Sequence, residues 1–455
     1  MARYLSVFSA LVVSNGIGVY LSQRYSSLVA PAWLLLGILA FFVATLLAVV
    51  LVVSRMPFPG HFLADENLFR STLVLHVNMA VLIWFGACVG FLWSERSSSL
   101  GRWSLVSVTL GGCGALMLLL AGTLPATPIL SNYVPVIDHP LFLLGLKCFM
   151  AALVLQGGSW CVAHLFRCHR QLSALDLSLF SLVLLLALTL MTVVAAVWSL
   201  PRDLPPETYF ELLFWGGGHL AQILYAQLLV AVWLRLMGGT ALAGSTTLLV
   251  LMLPVLAALS SLWPVLTMDP RSAEYRDYFT QLMRWGSWLA VPFIAWQVWR
   301  ERAAFSPVMR VVFPGSLALF VVGLLVGAII RGDNLMVPAH YHATTGAINL
   351  ALMGLGYAWL QRKEAVARWS MHQLRLYAVG VMLMVMGLAL SGYLGVGRKV
   401  TVKGHLLDEW SEQMSMTLMG VGGLTAIAAV FLFVGILFLL LRNRSSSFDL
   451  SSRHT

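Results

Sequence analysis

Four histidines carry the chemistry that this chain could do. It has eleven histidines in 455 residues, and His76, His219, His340 and His342 lie inside long apolar runs. An ionisable side chain is costly there and is by default a functional one. The other seven sit elsewhere. His61, His372, His405 and His454 fall in loops or at helix edges, and His139, His164 and His169 lie at or beyond the ends of one run. Neutral imidazole offers one N–H donor and one lone pair, and it is a usual axial ligand of haem iron.

The pair His340-Tyr341-His342 has the most informative spacing. At about 100° per residue, helical positions i and i+2 point about 200° apart. One helix therefore presents imidazoles on opposite faces at nearly one depth. A single metal would favour i and i+4 on one face. Opposite faces suit two cofactors flanking the helix, and an apolar slot suits a porphyrin. Hydrogen bonding between helices explains one buried histidine more readily than four on three helices.

These residues need apolar elements to hold them. The chain is 60% hydrophobic and only 10% charged, against about 25% charged in a soluble domain, so lipid must be its solvent. About 20 apolar residues cross the ~30 Å hydrocarbon core. By that rule twelve spans are expected, over Pro31–Val53, Phe69–Trp93, Trp103–Leu124, Pro140–Phe166, Leu175–Leu200, Tyr209–Leu236, Ser245–Leu266, Tyr278–Trp299, Phe313–Ile330, Val337–Leu360, Leu374–Leu394 and Met414–Leu441. The fold class is all-α, a polytopic membrane helix bundle. Residues 1–30 form an extra N-terminal span or interfacial helix, residues 31–442 one membrane domain, and residues 443–455 a cytoplasmic tail.

The net charge of +10 does not point to nucleic acid, because the basic residues are spread over short loops. One alternate set of loops is rich in arginine. The other holds most of the acids, among them Asp65, Glu66, Asp138, Asp203, Asp333 and Glu412. The arginine-rich set is expected in the cytoplasm, so even-numbered spans begin at the outer face. At 1.5 Å per residue, His76, His340 and His342 lie within about 10 Å of the outer ends of their helices, and His219 about 15 Å deep. The acidic outer face suits a basic soluble partner. Five cysteines without CxxC spacing read as small hydrophobes.

The residues in spans two, six and ten resemble subunit I of the haem-copper oxidase superfamily. Span two contains LVLHVNMAVLIWF, span six FWGGGHLAQILY and span ten NLMVPAHYHATTGAINLALMG. The wording around the HxH pair is similar to the cbb3-type oxidase and nitric-oxide-reductase branches. The resemblance implies that His76 and His342 are axial ligands of a low-spin haem b and that His340 is the proximal ligand of a high-spin haem. It makes His219 a ligand of a second metal, copper or non-haem iron, and sets Arg398 and Lys399 against haem propionates. It further implies a bacterial inner-membrane protein within a respiratory complex, taking electrons from a c-type cytochrome or copper protein at the outer face and passing them to oxygen or nitric oxide. Gly216, Gly217 and Gly218 would let a planar cofactor approach the backbone.

The chain also departs from that family. Span seven supplies no histidine for the second metal, and one imidazole cannot hold copper at useful affinity; Met268 and Asp269, the nearest substitutes, lie beyond its end. The family's tyrosine one turn after the span-six histidine is replaced by Ile223, and Tyr225 points about 240° away. No carboxylate lies mid-span, so no proton pumping is expected; Lys147 is expected to be a buried cation. The departures favour an alternative in which the chain is an electron-transfer haem subunit without a binuclear centre.

Overall fold

The computed structural model describes residues 16–58, 65–96, 101–165, 172–238, 245–360, 364–399, 401 and 409–451. Residues 1–15 of the expected N-terminal segment, the tail beyond residue 451, and His61, Cys168, His169, His405 and His454 lie outside the described residues.

The chain is a bundle of long helices. α1 runs unbroken over Gly16–Val53 with Pro31 inside it. The second span is three pieces in one rod: α2 (Glu66–Val77), a π-helical stretch (Asn78–Ile83) and α3 (Trp84–Glu95). Asp65 caps α2 by accepting from Leu68 N at 2.7 Å. The widened turn begins at Asn78, whose amide donates to Val74 O and to Pro135 O, each at 2.8 Å. A side chain that serves two carbonyls at once is one cause of such a local unwinding.

α4 (Gly101–Ala121) leads into a short antiparallel hairpin, β1 (Pro128–Ile129) with β2 (Val136–Ile137). α5 (Pro140–Leu165), α6 (Ala174–Ser199) and α7 (Pro206–Leu236) follow. The seventh span is split into α8 (Ser245–Leu259) and α9 (Leu262–Thr267), and the eighth into α10 (Ala273–Gly286) and α11 (Val291–Arg300). The bundle closes with α12 (Met309–Ala328), α13 (Met336–Leu360), α14 (Glu364–Tyr393) and α15 (Trp410–Ser451).

Each of the twelve expected segments is mainly helical over its described residues. Among the described residues, ten helices are long and apolar enough to cross a membrane. The other two are the broken eighth segment, in pieces of 14 and 10 residues, and α13, whose first half carries His340, His342, Thr344 and Thr345. The architecture is thus a multi-pass helical membrane bundle.

α13 is buried without a gap from Gly346 to Tyr357, and α7 from Ala226 to Leu234. These two helices, which carry three of the four central histidines, form the interior. Small residues set the closest approaches. Gly380, Gly387 and Gly422 bring α14 and α15 into backbone contact that no Cβ could enter, as expected where packing rather than hydrophobic exclusion joins helices. Ion pairs tie the helix ends. Arg96 reaches Asp176 at 2.6 Å, and Arg235 holds Glu95.

Candidate functional site

His76 stands on α2 and places Nδ1 2.8 Å from the carbonyl oxygen of Ala44 on α1. His340 on α13 does the same with Gly323 O of α12 at 2.7 Å, and His219 on α7 with Trp215 O at 2.6 Å. A carbonyl only accepts, so each of these rings carries its proton on Nδ1 and keeps a lone pair on Nε2. This anchoring by the distal nitrogen is what orients a metal-ligating histidine.

Helix packing makes the anchors possible. α12 and α13 meet at Gly323, which faces Thr344 and Ala343, and at Gly327, where a Cβ would lie 2.6 Å from His340 Nδ1. Glycine at both positions lets the imidazole lie against the backbone of the next helix. His342 turns to the other side of α13, where His76 and Arg55 lie within electrostatic reach of it. Among the described residues it makes no side-chain hydrogen bond. His76, His340 and His342 are all half-buried.

His219 is different. It is 1% exposed, and its Nε2 is already engaged. Tyr133 Oη lies 2.8 Å away, and Thr280 Oγ1 lies 3.3 Å away. The single Thr280 proton is committed to Arg276 O at 2.8 Å, so Tyr133 is the donor. Burial first, then the carboxylate of Glu211, pushes the Tyr133 phenol well above its ordinary pKa, which keeps that donor protonated. Among the described residues no group of three or more His, Cys, Asp or Glu side chains could hold a metal ion. Asp269 pairs with Arg271 at 2.6 Å, and Tyr225 packs edge-on against Phe85.

Tyr133 comes from the hairpin tip between β1 and β2. There the Asn132 backbone N–H and side-chain amide both donate to Glu211, at 2.8 and 2.5 Å. Arg398 and Lys399 meet the same tip. Arg398 pairs with Asp333 and donates to Asn132 Oδ1 at 2.9 Å. Lys399 donates to Leu130 O at 2.5 Å and to Asn132 Oδ1 at 3.0 Å. Lys399 has φ of +62°, a left-handed conformation that is strained for a side chain of this type.

Two expectations are corrected by the packing. The spaces beside Gly216, Gly217 and Gly218 are filled by Tyr275, Val193 and Tyr133, so these glycines serve close packing rather than a planar cofactor. Lys147 is exposed on α5 and faces away from the bundle. Sequence reasoning also missed Tyr133, Thr280 and Arg55. The Arg55 guanidinium lies 5.2 Å from the Phe69 ring centroid, and its Nε is buried without a hydrogen-bond partner. Their signal was faint, because nothing in the run SNYVP states that a loop tyrosine descends to a helix interior.

No protein-family model matches this chain. It is 24% identical to an uncharacterized protein of Rickettsia prowazekii, over 91% of this chain and 96% of that one. It is 26% identical to an uncharacterized protein of Aquifex aeolicus, over 72% of this chain and 84% of that one. Among solved structures, a heme-copper terminal oxidase determined as a dimer superposes with a TM-score of 0.68 over 94% of this chain and 84% of the other, at 16% identity. This chain therefore shares its fold with a heme-copper terminal oxidase.

Proposed function

We propose that this chain is a haem-carrying, subunit-I-like component of a bacterial respiratory oxidoreductase, and that it transfers electrons without a second metal at His219. The observation that carries the reading is the set of anchored imidazoles. His76 and His340 hold Nδ1 on backbone carbonyls, and His342 shares one side of α13 with His76. The residues present fit the group. His76 and His342 would be the axial pair of a low-spin haem b, and His340 would hold a second, high-spin haem across the helix. Arg398 and Lys399 would face the propionates by charge-assisted pairing. A bound haem supplies a one-electron redox couple, and the protein sets its potential through ligand identity, hydrogen bonds and burial.

The second metal does not fit. His219 spends Nε2 on Tyr133, and no cluster of ligands surrounds it among the described residues. On this reading α13 and the broken eighth segment complete twelve crossings, and arginine-rich loops face the cytoplasm. The acidic outer loops receive a c-type cytochrome or copper protein, and further membrane subunits take the electron onward. Sequence relatives in two bacteria support placement in a bacterial inner membrane. Terminal reduction of oxygen or nitric oxide at the high-spin haem is a second reading, favoured by the fold shared with a terminal oxidase.

Metal analysis and optical spectra of the purified protein test these readings. Haem iron with no further copper or iron is the expected result. One additional metal per chain, together with carbon monoxide binding, would establish the terminal reading instead. Absence of haem would remove both. His76→Ala and His342→Ala should each abolish the low-spin signal, whereas His340→Ala should affect the high-spin one alone. An intact low-spin spectrum in His76→Ala would refute the ligand assignment.

A further inference from the structure

The break in the eighth segment creates a feature that electron transfer does not use. α11 is only 10 residues long, about 15 Å at 1.5 Å per residue, which matches one leaflet of a ~30 Å hydrocarbon core. Beside it, α11 and α12 leave a groove of about 510 Å³. Trp288, Pro292, Trp296, Trp299, Phe320 and Leu324 are among its walls, and it is open on one side. Trp296 is 54% exposed and Trp299 50%, so the groove faces lipid rather than the bundle.

Cations gather at one end of this groove. The Arg300 guanidinium sits 5.0 Å over the Trp296 ring, and that of Arg302 5.1 Å over the Trp299 ring. Arg302 also donates to Trp299 O at 3.3 Å. Arg310, exposed at the start of α12, lies at the same end. Among the described residues none of these three guanidiniums pairs with a carboxylate. Stacking on indole orients a guanidinium plane while leaving its N–H edge free for an anion.

We propose that this groove is a binding site for an anionic phospholipid, one acyl chain lying along α11 and the headgroup phosphate resting on Arg300 and Arg302. The match is in length, polarity and charge together. The apolar trough is one leaflet deep, Trp296 and Trp299 towards its arginine end lie where amphipathic rings favour the membrane interface, and the arginines stand at headgroup level. Basic pockets between helices on the cytoplasmic side recognise such headgroups, and the arginine-rich loop between α11 and α12 is on that side by its charge.

Native mass spectrometry of the full-length protein, stripped of lipid and exchanged into mixed phosphatidylglycerol and phosphatidylcholine micelles, tests the site. At about 1 kcal/mol per arginine, two arginines should favour phosphatidylglycerol by roughly 25-fold. The double variant Arg300→Gln with Arg302→Gln should lose that preference, whereas Arg300→Lys with Arg302→Lys should keep most of it. Both pairs are surface changes, and an unchanged circular dichroism spectrum verifies the fold. Equal retention of the two lipids by the native protein, or an undiminished preference in the glutamine variant, would overturn the assignment.

Discussion

At the scale of single residues, the hydroxyl of Tyr133 is, among the described residues, the sole strong donor to His219 Nε2. Tyr133→Phe leaves that buried nitrogen unpaired, at a cost of about 1–3 kcal/mol. The expected result is a lower thermal midpoint in detergent with copper and iron content unchanged from the native protein. A metal lost along with the tyrosine would mean that His219 is a ligand after all. Lys399 makes a separate prediction. Burial first, then Arg398, holds its ammonium below the usual lysine range. The folded chain then sheds this proton before the unfolded chain does, so stability rises with pH from the lowered value up to about 10.4. Thermal midpoints recorded between neutral pH and about pH 10 should show a steeper rise in the native protein than in Lys399→Met.

At the scale of elements, the α12–α13 contact determines where His340 points. Gly327→Ala would drive a Cβ to 2.6 Å from His340 Nδ1, and overpacking of this kind costs about 1–3 kcal/mol. It should weaken the high-spin absorption and leave the low-spin signal in place. Gly112→Ala is the control: its Cβ meets nothing within 4 Å, and in a helix interior it should be neutral or stabilise by about 0.5–1 kcal/mol. The positions of the spans were legible because about 20 apolar residues in a row leave a chain no soluble alternative. The opposite faces of His340 and His342 were legible for a similar reason, since helical rotation is a local property. The carbonyl anchors were not, because Ala44 and Gly323 contribute backbone atoms that every residue has. Likewise the breaks at Ser260–Ser261 and at residues 287–290 leave hydropathy almost unchanged, so the seventh and eighth segments read as continuous.

At the scale of the whole molecule, the charge bias of the loops predicts a direction across the membrane. Asp203 precedes α7 at the acidic face, and Arg310 opens α12 at the basic one. In a background with the native cysteines replaced, a membrane-impermeant maleimide should label Asp203→Cys in intact cells. Arg310→Cys should react only after permeabilisation. The reverse pattern would invert the molecule and move the partner surface to the other side. The hairpin tip is where this scale meets the first, since Asn132 is bonded by Arg398, Lys399 and Glu211 while its neighbour Tyr133 reaches His219. Polar groups from these loops thereby close over the bundle interior, which no reading of spans alone would have shown.

The π-helical stretch at Asn78–Ile83 has a consequence for inheritance. It separates His76, which lies within electrostatic reach of His342, from Trp84, whose indole donates to Asn349 Oδ1 on α13 at 2.9 Å. A π turn holds an extra residue relative to an α turn, whereas the same residues wound as plain α-helix would rotate everything beyond them by about 100°. A chain lacking one residue of this stretch could close the turn as plain α-helix and keep both the histidine and the tryptophan on their present faces. A single-residue deletion here should therefore be tolerated better than one elsewhere in the same rod, where no wide turn absorbs the change of register.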